Sequence, residues 1–162
     1  MKNVFILGLT ILMLVTGVLG QEIKDITSKE AYEMAKEDST YIIDVRSIAE
    51  YAFIGHPKMA YSIPLSFWNE EKQSLVLNET FVEDIKAKFT PEDSLIFICR
   101  SGGRSRQAAQ HIVSEGYGKI FNILHGFEGD RDDKGYRNVN GWKNSDLPFT
   151  YKREKEYIYK KK

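Results

Sequence analysis

One strand–turn–helix unit restricts this chain more than any other feature. Ser94-Leu95-Ile96-Phe97-Ile98 is an unbroken apolar run of strand length, and it ends on Cys99, the one cysteine of the sequence. Arg100-Ser101-Gly102-Gly103-Arg104-Ser105 follows. From Arg104 to Glu115 a helix is predicted, with Ala108, Ala109, Ile112 and Val113 on one face and Gly116 as its stop. An apolar run of this kind is the habit of strands in sheets covered on both sides. The thiol therefore stands at a strand end, against a glycine-rich turn and a helix N-terminus. Amides of such a turn form an anion-binding nest, and the positive helix end adds to it. Both favour an exposed thiolate, the nucleophilic form. An inert buried cysteine is the commoner role for a free thiol. The flanking arginines and glycines weigh against that role here.

The rest of the chain alternates helix and strand signals. Thr27-Ser28-Lys29-Glu30 reads as a capping box, and Ala31, Met34 and Ala35 continue a helical stripe. Tyr41-Ile42-Ile43-Asp44-Val45 is a short buried strand with charge at Asp44 and Arg46, and a short helix is expected from Ser47 to Tyr51, broken at Gly55-His56-Pro57. Ala60 to Leu65 is a second short apolar stretch, stopped by Pro64. Phe81, Ile85 and Phe89 recur at helical spacing and predict a helix from Asn78 to Phe89. Ile120 to Leu124 reads as a further strand. This alternation predicts an α/β domain with a central, mainly parallel sheet flanked by helices. Ligands of such sheets bind beyond the carboxyl ends of the strands, where Asp44 and Cys99 would both lie. His125 to Leu147, rich in Gly, Asn, Asp and Arg, reads as a long ordered loop that shapes the site or meets a partner.

Residues 1–20 have the layout of a secretory signal peptide: Lys2, an apolar run from Val4 to Leu19, and a polar chain from Gln21. The apolar run is short for a spanning helix, which takes about 20 residues. Membrane contact is expected only if this segment is retained. The expected organisation is a leader over 1–20, one domain over 21–150, and a basic, tyrosine-rich tail over 151–162 that is solvated. The leader implies an exported protein, most simply a periplasmic one. The charge balance of 23 basic and 23 acidic residues gives no case for a nucleic-acid partner. A single cysteine excludes an internal disulfide, and the one thiol of an exported chain is either a leftover or in use, the setting of Cys99 favouring use. His56, His111 and His125 lack metal-ligand spacing.

Four stretches together resemble the rhodanese-type, single-domain sulfurtransferases. They are Ile43-Asp44-Val45-Arg46 with Glu50-Tyr51, then Gly55 to Pro64, then the loop Cys99 to Ser105, then Gly126-Phe127 with Gly141-Trp142-Lys143 and Leu147-Pro148. They run in the family's order from Ile26 to Phe149. Lys58-Met59 replace the usual Pro-Gly, Ser62 stands where Asn is common, and Glu128 to Gly141 is an insertion that offers a place for a protein partner. The resemblance implies that Cys99 is the catalytic nucleophile and carries a persulfide. It implies a small anionic sulfur donor such as thiosulfate or a polysulfide, and a thiol, cyanide or protein acceptor. No metal and no organic cofactor is required.

Arg100, Ser101, Gly102, Gly103, Arg104 and Ser105 would bind the donor, with loop amides aimed at the sulfur and both arginines adding charge at the mouth. Gly102 and Gly103 would supply angles that residues with a Cβ adopt poorly. Asp44 and Arg46 read as a structural ion pair supporting the site edge. A carrier that loads sulfur and hands it to a protein partner would have the same sequence. A cysteine phosphatase or arsenate reductase fits less well, because the sixth position after Cys99 is Ser105 and not arginine.

Overall fold

The computed structural model describes residues 22–160, so the leader predicted over 1–20 lies outside the described residues. The elements are β1 (Lys24–Ile26), α1 (Ser28–Met34), β2 (Thr40–Asp44), α2 (Ile48–Phe53), β3 (His56–Pro57), β4 (Tyr61–Ser62), β5 (Ser66–Asn69), β6 (Ser74–Leu77), α3 (Phe81–Lys86), β7 (Ser94–Ile98), α4 (Gly103–Val113), β8 (Lys119–Ile123) and β9 (Phe149–Thr150). Five strands form the central sheet in the order β1-β8-β7-β2-β4, and every pairing in it is parallel. This is the sheet expected from the helix–strand alternation, with β7 at its centre.

Alternation along the strands sorts side chains onto two faces. Leu95, Phe97 and Cys99 join the cluster that α3 and α4 cover with Phe81, Ile85, Ala108 and Ile112. Ile96 and Ile98 join Ala31 of α1, Phe127 and Trp142 on the opposite face. Burial on both faces explains why the strand runs are continuously apolar.

Local chemistry sets the helix starts. The Thr27–Glu30 capping box is present, and an equivalent box of Ser47 and Glu50 starts α2. The helix predicted over 78–89 is shorter, because Asn78 turns the chain before it. Its Oδ1 accepts from the Thr80 amide and hydroxyl, and its Nδ2 donates to the Pro64 carbonyl. Residues 66–77, given no structure from sequence, form an antiparallel hairpin of β5 and β6.

The tail is not simply solvated. The Tyr157 carbonyl accepts the Ser62 amide of edge strand β4 at 2.7 Å. Tyr159 is 9% exposed and packs on Phe67, so the expectation of a solvated tail is corrected.

Candidate active site

β7 delivers Cys99 to the carboxyl edge of the sheet. Beside it, the Val45 amide donates to the Ile98 carbonyl at 3.0 Å, so the exits of β2 and β7 stay together. The chain then reverses at Gly102, with φ 96° and ψ −27°. That left-handed conformation suits glycine. Gly103 needs no such freedom: it opens α4, and a Cβ there meets nothing within 4 Å. The two glycines grouped together from sequence therefore differ in role.

The turn carries the Gly102 amide to 3.2 Å from Cys99 Sγ. Ser105, on the first turn of α4, places its hydroxyl 3.3 Å from the same sulfur. The thiol is recessed where the sequence suggested exposure, and the residue is 1% exposed. The parity of β7 is the reason: Cys99 faces the side covered by α4. It lines a cavity of about 420 Å³ together with Glu50, Leu75, Arg100, Ser101, Gly103 and Arg104.

The loop is fixed from its other side by the segment after β8. Phe127 donates its amide to the Cys99 carbonyl at 2.7 Å, and Glu128 donates to the Arg100 carbonyl at 3.0 Å. In a trans peptide the N–H points away from the C=O, so the Arg100 and Ser101 amides are directed away from that segment. The contact is close enough to demand glycine at 126, where φ is 60° and a Cβ would lie 2.5 Å from the Cys99 carbonyl oxygen. Trp142 and Lys143 donate amides back to Gly126 and Phe127 at 2.9 Å, which joins the two halves of the last motif across the Glu128–Gly141 insertion.

The charges are arranged differently from the sequence expectation. Arg104 does not face the cavity as a free cation. Its guanidinium donates to both Glu50 oxygens, at 2.9 and 2.6 Å. Glu50 also accepts the Ser47 amide of its own capping box at 3.0 Å. Burial pushes the Glu50 carboxyl up, but Arg104 and the Ser47 amide outweigh it and hold the group at about 2. Sequence reasoning quoted Glu50 only as part of a motif; its i+3 spacing from Ser47 was the available signal.

Arg100 is exposed and, among the described residues, has no ion pair. Asp44 and Arg46 form a fully buried pair at 2.6 Å. Arg46 also donates to the Gly55 carbonyl at 2.7 Å and lies over the Phe127 ring at 4.4 Å. The pair thus braces the β2 exit against the segment that holds the cysteine loop.

Sequence reasoning also missed Asn122, a polar residue set between Phe121 and Ile123 in β8. It is 2% exposed and accepts the Ser105 hydroxyl at 2.6 Å. Its own Nδ2 donates to Asp25 at 2.8 Å, which Arg106 pairs from outside. A polar side chain between Phe121 and Ile123 was the signal for it. His56 is a packed residue: its ring stacks on Tyr51 at 3.5 Å, and burial lowers its pKa. His125 pairs with Asp130 at 2.7 Å in the insertion.

With this geometry in place, the comparisons with known proteins are specific. The family model of the Rhodanese-like domain matches residues 27–132. The uncharacterized RP600 homolog of Rickettsia rickettsii is 33% identical over 132 residues, covering 80% of this chain and 98% of that protein. Thiosulfate sulfurtransferase 18 of Arabidopsis thaliana is 27% identical over 107 residues, 66% of this chain and 77% of that protein. Among solved structures, Rv0390 from M. tuberculosis superposes with a TM-score of 0.67 at 30% identity, covering 80% of this chain and 98% of that one.

Proposed function

The chain belongs to the rhodanese-like domain family, and from that membership we propose that it moves sulfane sulfur from a small anionic donor to a thiophilic acceptor through a persulfide on Cys99. Relatives in the family include a thiosulfate sulfurtransferase, which supports sulfur transfer as the reaction class. The observation that carries the reading is Cys99 among the residues lining a cavity, with the Gly102 amide 3.2 Å from its sulfur.

The steps balance without a cofactor. Cys99 thiolate attacks the outer sulfur of thiosulfate, a Cys Sγ–S bond forms, and the S–S bond of the donor breaks. Its electron pair leaves with sulfite, and the enzyme holds a persulfide anion. A nucleophilic acceptor such as cyanide or a thiolate then takes the outer sulfur and returns the thiolate. The Gly102 amide lies where negative charge on sulfur persists through both steps, and it needs no reorganisation to act. Thiosulfate, a polysulfide and a protein persulfide are all donors of this class, and a thiol, cyanide or a protein can accept. We further place this activity outside the cytoplasm, on the strength of the apolar segment that follows Lys2.

Thiosulfate followed by intact mass measurement should show one added sulfur, absent in Cys99→Ser. Thiocyanate release with cyanide identifies an enzyme; stable loading discharged only by a protein partner identifies a carrier. Retention of sulfur transfer in Cys99→Ser overturns the assignment of the nucleophile.

A further inference from the structure

The hairpin of β5 and β6 presents two chemically different faces. Phe67, cross-strand from Val76, packs against the core cluster. The opposite face carries Trp68 and its direct partner Leu75, with Leu77 two residues along. These three apolar side chains are 53%, 50% and 48% exposed. The platform meets the reaction site at Leu75, which lines the same cavity as Cys99.

The charge of that cavity adds a second constraint. Glu50 and Arg104 neutralise one another at 2.6 Å, which leaves Arg100 as the uncompensated cation among the residues lining it. One free positive charge matches a monoanion better than a dianion, and a bare inorganic dianion has no use for an apolar wall.

We propose that the preferred sulfur donor is organic: a monoanion whose sulfane sulfur reaches Cys99 while an apolar substituent rests on Leu75 and Trp68. This rests on the sulfur-transfer reading above and names the substrate class for it. A thiosulfonate has the required form. Cys99 thiolate attacks its terminal sulfur, the Sγ–S bond forms, the donor S–S bond breaks, and the organic sulfinate leaves with the electron pair. Leu75 and Trp68 then act as specificity residues, touching the substituent and not the reacting sulfur.

Two donors of equal charge test this on the full-length chain: benzenethiosulfonate, which carries a ring, and methanethiosulfonate, which does not. Each is assayed with cyanide as acceptor, and each rate is divided by that donor's reaction with a small thiolate in solution. The corrected kcat/KM of the aromatic donor should exceed that of the methyl donor by about tenfold, the size expected when a ring gains apolar contact. Leu75→Ala and Trp68→Ala should each bring that ratio down toward one. Both side chains are half exposed, so folding is expected to survive their loss. A corrected ratio near one in the native chain, or a ratio that Leu75→Ala leaves unchanged, overturns the organic-donor proposal alone. Failure of both thiosulfonates and of thiosulfate to add sulfur to Cys99 overturns the transfer reading, and this proposal with it.

Discussion

The Glu50 carboxylate governs both charge and stability at the cavity. Its pKa is held at about 2, against 4.5 for an unperturbed group. A carboxyl depressed by folding stabilises the fold fully above its unfolded value, and that contribution fades as pH falls toward the folded value. Glu50→Gln should therefore lower stability at neutral pH by about 1–2 kcal/mol, allowing for solvent screening. Urea unfolding across pH should show the gap to the native chain closing between pH 4.5 and pH 2. The same variant frees Arg104 as a cation beside the thiol, so the thiosulfate KM should fall; an unchanged KM removes the pair from donor selection.

The Ser105 hydroxyl has one hydrogen and three neighbours, Asn122 Oδ1 at 2.6 Å, the Gly102 carbonyl at 3.0 Å and Cys99 Sγ at 3.3 Å. Asn122 commits its amide nitrogen to Asp25, so its oxygen faces Ser105 and competes for that hydrogen. Asn122→Ala should release the hydroxyl toward sulfur and speed iodoacetamide alkylation of Cys99 at neutral pH by about three- to tenfold, the worth of one modest hydrogen bond. Slower or equal alkylation refutes the competition.

At the scale of elements, the cysteine loop works as a clamp between α4 and the segment after β8. Gly126→Ala tests it. The added carbon meets main-chain atoms of Cys99, Arg100 and Ser101 at 2.5 to 2.7 Å, so the backbone has to separate. A loss of about 2–4 kcal/mol is expected, with sulfur loading of Cys99 reduced in parallel. Gly103→Ala enters open space at the start of α4 and should fold with equal or slightly greater stability in the same unfolding assay. The clamp also marks how far the sequence could be read. The β7–loop–α4 unit, the first capping box and the buried strands were legible because local pattern alone dictates them. Hairpin β5–β6 was not, since its turn around Gln73, at φ 48°, carries no glycine or proline signature. Nor was the Glu50–Arg104 pair, whose partners lie 54 residues apart and meet only once α2 and α4 are placed. Of the loop amides expected around the sulfur, the Gly102 amide is the one that donates to it, at 3.2 Å, and that contact depends on which face of β7 the thiol takes.

Over the whole molecule, the final segment closes what the sheet leaves open. Strand β4 is an edge of only two residues, and unpaired edge groups invite pairing with other chains. The Tyr157 carbonyl occupies the Ser62 amide at 2.7 Å, and the Tyr157 ring meets Tyr61 edge-on with centroids 4.8 Å apart. Two residues on, Tyr159 packs against Phe67 at 5.7 Å, on the inward side of the hairpin whose outward side carries the apolar platform. A segment that looks like a basic tail thus couples the sheet edge to the hairpin beside the active site. Tyr159→Ala removes a ring that is nine-tenths buried and should cost about 2–4 kcal/mol. Tyr136→Ala, at a site 68% exposed, should stay within about 0.5 kcal/mol. The decisive readout is local. If the tail seats the hairpin, amides of residues 66–77 in Tyr159→Ala should exchange hydrogen faster than those of β7 under conditions where the sheet remains folded. Uniform acceleration of hairpin and sheet together would mean that Tyr159 contributes to global stability alone and holds nothing in place at the cavity rim.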